Sequence, residues 1–544
     1  MTNADLIVAT LKAAGIRHGF GIPSGNVLPL MDAMRRGGVA FVLTAHEGSA
    51  GFAADVTGRM TGAPGLCIAT LGPGATNLAT GVGCAYLDRS PLIAITCNLN
   101  TDQLGRRIQM WIDHHALFSP ITKATFRLEA GKIAATVAEA VRIAMTEPRG
   151  PVHLDLPEDV ALAPARELAA ASHPDPLPAR AGKGGAGAVR VAPAEALTKA
   201  HELIARARRP VAVLGSSAMR VADPGLLRGV IERHNLPFAT TTMAKGMIDE
   251  DHPLSLGCIE RACRQVQRKL LGSADLIVGL GYDTIEVEYE AWIGDVPLVA
   301  IDIEPADVAA SVRLVHQAVG DLDASLARLA TLPACSNAWT TDALAAHRNA
   351  FQAALRPATT TFSAHAAIDA VRRALPREGV LCFDVGAHTH QIASQWSAHA
   401  PKSFQITNGW SSMGFGLPAA IAAKLARPDL PVVCLIGDGC FQMTCGEVAV
   451  AKRLGLALPI VVLDDRWLAL IKVKQIRRQF PLYGTELQAE EYRDPPAHYF
   501  GVPALGVRGA PALEQAVRGA LGAKGPTVIE AVVDSEHYVD TVYD

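Results

Sequence analysis

The 544-residue sequence lacks a charge excess: 50 Lys and Arg against 53 Asp and Glu leave a formal net charge of −3. So balanced a chain offers no electrostatic footing for nucleic acid or a membrane surface, and neither is expected as a partner. It also lacks any uncharged apolar run of the ~18 residues that a membrane-spanning helix needs. The opening stretch MTNADLIVATLKAAGIRHGFGIP places Asp5 and Lys12 among its apolar residues and reads as an amphipathic helix. Without a basic segment leading into a long apolar one, a signal peptide is not expected. The ten cysteines include no C-x-x-C pair, and the closest spacings are Cys258 to Cys263 and Cys440 to Cys445. No zinc-site spacing is present, and a disulfide framework is not expected at this length. The cysteines read as small core residues in a reducing compartment, which makes the cytoplasm the expected location.

What is present is a soluble, globular composition, 49% hydrophobic and 19% charged. The length is too great for one core and predicts roughly three or four domains. Two stretches break the rhythm of strands and helices. Residues 163–192 are rich in Ala, Pro and Gly, and residues 331–360 in Ala and Thr; both read as linkers. The predicted domains are therefore 1–165, 190–330 and 360–544. Each alternates short Val/Ile/Leu runs with helical stretches. The predicted strands are FVLTA, GLCIATLG and PLIAITC in the first block, and PVAVLGS, ADLIVGLG and PLVAIDI in the second. In the third they are GVLCFDVG, PVVCLIGDG and PIVVLDD. Near-continuous apolar strands between helices predict an α/β fold of three doubly wound parallel sheets, each covered on both faces. In such sheets ligands bind at the carboxyl ends of the strands.

In the third block PVVCLIG runs into Gly437-Asp438-Gly439-Cys440, and PIVVL ends at Asp464-Asp465. Glycines flanking an Asp let backbone N–H groups approach an anion while the carboxylate faces a cation. The 27 residues from Asp438 to Asp465 suffice for a helix and a neighbouring strand, which brings both carboxylates to one sheet edge. Two carboxylates with phosphate oxygens would suit Mg²⁺. The bland alternative is a turn at Asp438-Gly439 and a helix cap at Asp464-Asp465.

The run from Gly437 to Gln475 resembles the diphosphate motif of thiamine-diphosphate enzymes, in the branch with acetolactate synthase. The resemblance implies Mg²⁺ ligands at Asp438, at Asp465 and at the carbonyl of Trp467. Asp464-Asp465 stand where that motif has paired Asn. FDVGAHTHQ resembles the segment wrapping the diphosphate, with Gly386, Ala387 and His388 at the matching positions. ITNGWSSMGFGLPAA resembles the aminopyrimidine-binding segment. There Met413 would bend the cofactor, and its N–H with the Ser411 carbonyl would hold the ring.

In the first block, Glu47 follows a strand at the mouth of a helix of small residues, Gly48, Ser49, Ala50, Gly51, Ala53 and Ala54. A carboxyl group facing such a seam is poorly solvated and tends to stay protonated; the alternative is a solvated cap. HEGSAGFAAD resembles the family's catalytic glutamate motif, whose side chain donates a proton to the aminopyrimidine. ATLGPGATNL resembles the GPGATN loop near the active site, with a plain strand-to-helix turn at Asn77 as the other reading. PRGPVHLDLPEDV closes the block as the family's first domain closes. The resemblance runs from Gly21 to about Asp465. It implies a homodimer at least, commonly a tetramer, with Glu47 of one subunit facing the metal site of the other.

In the middle block GLGYDTIEVEYEAW lacks the third glycine of a dinucleotide fingerprint. It is similar to the flavin-free acetolactate synthases, so FAD is not expected.

The substrate-facing positions point two ways. Asn26 stands where benzaldehyde lyase has a catalytic histidine, and benzoylformate decarboxylase has a similar segment. Gln109 matches an active-site glutamine of benzaldehyde lyase. His114-His115 resembles the histidine pair of pyruvate decarboxylase but falls off its position, which favours a structural role. Leu470 and Ile471 match pocket-lining positions, and Lys474 stands where anabolic acetolactate synthases have Trp. Lys472, Lys474, Arg477 and Arg478 form either a solvated face or an attractor for an anionic 2-oxo acid. The expected function is acetolactate-synthase-like ligation or decarboxylation of 2-oxo acids. The alternatives are an acyloin lyase or 2-oxo acid decarboxylase acting on acids or aldehydes, and a binding protein that lost catalysis.

Overall fold

The computed structural model describes residues 1–166, 191–286, 292–487 and 495–542. Each predicted Val/Ile/Leu run is a strand, and these strands assemble three sheets. The first sheet orders its strands Ala40–Leu43, His18–Gly21, Gly65–Thr70, Leu92–Asn98, Pro151–Pro157 and Ala124–Arg127, all parallel. The second runs Leu314–Val319, Leu298–Asp302, Leu276–Leu280, Pro210–Leu214, Phe238–Thr240 and Ser255–Cys258, again all parallel. The third is centred on Val380–Phe383, Val432–Gly437 and Pro459–Asp464, and departs from the parallel rule at one edge. There His498–Tyr499 pairs antiparallel with Val502–Val507. Central strands such as Leu92–Asn98 and Val432–Gly437 are buried at every residue, as strands covered by helices on both faces must be.

The first and third blocks share a core. Helix Glu47–Met60 is buried at twelve of its fourteen residues, so it has no solvent face to speak of. Its small residues allow this. A Cβ on Gly51 would lie 2.7 Å from the Cα of Gly81, in helix Pro73–Leu87. On another side Phe52 meets Phe415 edge-on, with centroids 5.7 Å apart, at the start of helix Gly416–Ala426. A buried ion network crosses the same seam. Arg59 pairs with Asp55 at 2.7 Å and Asp88 at 2.9 Å, and also donates to the carbonyl of Ile406.

The two predicted linkers differ. Of 163–192, residues 167–190 lie outside the described residues. Before them Ala163 and Ala165 hydrogen-bond back to Asn3 and Met1. Residues 331–360 are no mere linker, because helix Thr341–Ala354 fills their middle. Thr340 caps it, and buried Leu344 and Phe351, seven residues apart, dock it onto the second block. The Ala- and Thr-rich composition conceals this sparse apolar stripe. No helix among the described residues is long and apolar enough to cross a membrane, and all ten cysteines are unpaired.

Candidate active site

At the carboxyl edge of the third sheet a cavity of about 210 Å³ opens between three loops. The first follows strand Val380–Phe383 and brings Gly386, Ala387 and His388. The second carries Ser411 and Met413. The third follows strand Val432–Gly437 and brings Gly437, Asp438, Gly439 and Cys440. Asp465, Trp467, Leu470 and Ile471 close the remaining side, after strand Pro459–Asp464.

The glycines have a steric purpose here. A Cβ on Gly386 would meet the His388 ring at 2.7 Å, and one on Gly437 would meet it at 2.8 Å. The imidazole is therefore wedged between two loops that only glycine lets approach. Burial pulls its pKa down to about 4, so it is neutral, and its Nε2 has no hydrogen-bond partner. Cys440 turns its thiol to the carbonyl of Val385.

Three carboxyl groups crowd the floor. Asp438 accepts from the amides of Gly439 and Arg466, both at 2.7 Å, and Asp465 accepts from Trp467 N at 3.0 Å. Asp464 is buried beside Asp438, and burial raises its pKa. Burial, then the neighbouring Asp465 and Asp464, push Asp438 up to about 9; burial raises Asp465 to about 6. Three buried carboxyl groups that repel one another are costly, and a divalent cation would relieve them. The donor set therefore fits an oxygen-liganded metal, and the glycine-lined loops, whose backbone can approach closely, fit a phosphorylated cofactor.

Sequence reading missed the residue that holds these loops together. Asp384, fully buried, accepts from the amides of Val385, Gly414 and Gly416 at 2.7–3.1 Å, and so ties the Met413 loop to the Gly386 loop. The Met413 loop is hung from the first block as well, since Asp88 accepts from Asn408 N and Gly409 N. Tyr538, from the C-terminal helix Tyr538–Thr541, also lines the cavity and was not anticipated.

The remaining predicted residues lie elsewhere in this subunit. Lys474 is half-buried on helix Ala469–Arg477, outside the cavity lining. In the basic run beside it, Lys472 stacks over the Trp467 ring and Arg477 binds the Val539 carbonyl. Glu47 is 8% exposed and receives a 3.0 Å hydrogen bond from Asn77, so it is not the solvated cap of the bland reading. His46 caps its helix by accepting from Gly48 N. Asn26 donates to Glu158 Oε2 at 2.9 Å and to the Asn98 carbonyl. Gln109 is exposed, beside Met110, whose carbonyl rests against Gly72. His114 and His115 join a polar network with Thr96, Thr125, His153 and Asp155. Thr96, His114, His153 and Asp155 of this network are buried.

The second sheet presents a comparable edge, between strands Pro210–Leu214 and Leu276–Leu280, where its strand order reverses. The buried carboxyl group of Glu286 accepts from Ser216 N at 2.8 Å, Met243 N at 2.9 Å and Thr241 Oγ1 at 2.5 Å. Gly215 packs so tightly on Gly281 that a Cβ there would lie 2.4 Å from the Gly281 carbonyl oxygen. Residues 287–291 of the predicted fingerprint segment lie outside the described residues.

Three descriptions of one family match in order along the chain. "Thiamine pyrophosphate enzyme, N-terminal TPP binding domain" covers residues 1–117, the central domain covers 197–329, and the C-terminal TPP binding domain covers 384–531. The large subunit of acetolactate synthase isozyme 1 of Escherichia coli is 32% identical, over 87% of this chain and 83% of its own. The large subunit of isozyme 2 from the same organism is 30% identical, over 98% and 96%. A probable 2-ketoarginine decarboxylase of Pseudomonas aeruginosa is 31% identical, over 85% and 81%. The chain thus belongs to the thiamine pyrophosphate enzymes and is an acetolactate-synthase-like member that forms or cleaves carbon–carbon bonds.

Proposed function

We propose that this enzyme is a thiamine-diphosphate- and Mg²⁺-dependent carboligase or decarboxylase of 2-oxo acids. The observation that carries the reading is the cavity at the third sheet, where buried carboxyl groups and glycine-bared amides converge. Asp438, Asp465 and the Trp467 carbonyl would hold the metal, and the Gly386–His388 and Gly437–Cys440 loops the diphosphate. Thiamine diphosphate held there would supply the nucleophile for a substrate carbonyl. The protein's part is positioning and proton control. Met413 and Ser411 orient the ring, and Glu47 holds a proton beside it. Apolar Leu470, Ile471 and Met413 disfavour a substrate carboxylate and so favour its departure as CO₂.

No residue lining the cavity comes from the first block. We therefore assign the catalytic carboxyl group to Glu47 of the partner subunit, which makes a homodimer the smallest active unit, with a tetramer built on it. The enzyme is read as cytoplasmic, a reading that the scattered cysteines and balanced charge of the sequence support. The central block is read as flavin-free, because Glu286 occupies the amides that an anionic cofactor would need.

Simple decarboxylation is the second reading, favoured by the likeness to the 2-ketoarginine decarboxylase. Incubation of the holoenzyme with pyruvate separates the two: acetolactate supports ligation, acetaldehyde supports decarboxylation. Failure of any tested 2-oxo acid to turn over with thiamine diphosphate and Mg²⁺ overturns both. Glu47→Gln should abolish turnover and leave the fold intact, and retained turnover refutes the role given to Glu47.

A further inference from the structure

We propose a second metal site, for a borderline cation such as Zn²⁺, formed by His201, His234 and Cys335 on the outer side of the central block. The three residues are far apart in sequence, which is why no local spacing announces them. His201 lies on helix Ala194–Arg206, His234 directly follows helix Pro224–Arg233, and Cys335 lies on the strand of chain that leaves helix Leu322–Thr331. Their ligating atoms all fall within 4.8 Å of one another.

Three observations point to a ligand. First, His234 is fully buried, and its Nε2 sits 3.1 Å from the Leu329 carbonyl. That bond fixes the proton on Nε2 and leaves Nδ1 as a bare lone pair. Nδ1 is buried and has no hydrogen-bond partner. A metal-bound histidine has this arrangement, with its second ring nitrogen donating to a carbonyl. Second, Cys335 Sγ lies 3.5 Å from His201 Nε2. With Zn–S of about 2.3 Å and Zn–N of about 2.0–2.1 Å, a tetrahedral site needs S–N edges of roughly 3.5–3.6 Å. Third, the two imidazoles face each other edge-on, with ring centroids 5.2 Å apart. His201 and Cys335 are only half-buried, so an ion and a water or the Pro333 carbonyl, now 2.8 Å from His201 Nε2, have room to complete the shell.

On binding, Cys335 releases its thiol proton to solvent and the thiolate sulfur bonds the ion. His201 gives up its hydrogen bond to the Pro333 carbonyl and takes the tautomer with its proton on Nδ1, so that both imidazoles bind neutral and no electron moves. One thiolate and two imidazoles favour Zn²⁺ or Co²⁺ over the hard Mg²⁺ of the catalytic cavity. The ion would staple the segment leaving the central block to that block's first helix. That segment is already tethered by Arg233 to the Leu332 carbonyl and by Asn337 to the Asn235 carbonyl.

The test is a Co²⁺ titration of the full-length, chelator-treated chain in excess Mg²⁺, read by the near-ultraviolet thiolate-to-cobalt absorption. One equivalent should bind and be displaced by Zn²⁺. Cys335→Ser should remove the absorption, and His201→Ala should weaken binding at least 10-fold. Cys445→Ser, which alters the other half-exposed cysteine, should change nothing. Absence of the absorption at tenfold excess of Co²⁺, or its survival in Cys335→Ser, overturns the proposal. The readout involves neither thiamine diphosphate nor turnover, so it stands or falls apart from the catalytic reading.

Discussion

The second and third blocks are built alike, yet their sheet edges end differently. Both present carboxyl groups at the carboxyl ends of parallel strands. In the second block Glu286 takes three hydrogen bonds from its own chain, and Gly215 packs closely on Gly281. In the third, Asp438, Asp464 and Asp465 crowd together, burial raises all three, and they lie at a cavity. The same architecture thus gives one edge where a carboxyl group is hydrogen-bonded by its own chain and one where three carboxyl groups crowd together.

Removing the carboxyl group should have opposite consequences at the two edges. Asp438→Ala should lower turnover by about 10³-fold or more, because a metal ligand supplies several kcal/mol to the bound state. The metal-free protein should melt no lower than wild type, since one of three repelling groups is gone; a clear drop in its melting temperature would erase the contrast. Arg59→Met probes the seam between the first and third blocks. It leaves Asp55 and Asp88 buried without their cation and should cost about 3–5 kcal/mol in denaturant unfolding.

Glu286→Ala should cost about 2–3 kcal/mol, because the Ser216 and Met243 amides lose their acceptor. Its pH dependence has a definite sign. Burial raises this group from 4.5 to about 8, so the native state holds the proton more tightly than the unfolded chain does. Its contribution is fully present below about pH 4.5 and is lost as pH rises through about 8, at up to about 1.4 kcal/mol per pH unit. Glu286→Gln should flatten that part of the stability profile, and an unchanged slope would refute the assignment. Asn77→Ala is the mildest probe. It removes one hydrogen bond to Glu47 and should cost about 1 kcal/mol.

The strands were legible because buried parallel strands need uninterrupted Val, Ile and Leu. The cavity residues were legible because close backbone approach needs glycine, and glycine beside Asp or His is visible in a one-dimensional string. What escaped were contacts between distant segments. Asp384 looks like any Asp after a strand until Gly414 and Gly416 are seen to fold back onto it. Helix Thr341–Ala354 needs only Leu344 and Phe351 to dock, too thin a stripe to stand out among alanines. Lys474 shares a helix with Leu470 and Ile471, but its position does not line the cavity. His201, His234 and Cys335 are separated by a whole domain's length of chain, so spacing rules built on neighbouring residues pass over them.

The loop bearing Met413 hangs from Asp88 and Arg59, more than three hundred residues upstream. A fragment holding only the last third of the sequence would therefore keep the shelf and lose its hook, so the C-terminal block depends on the opening residues for the placing of its own loop.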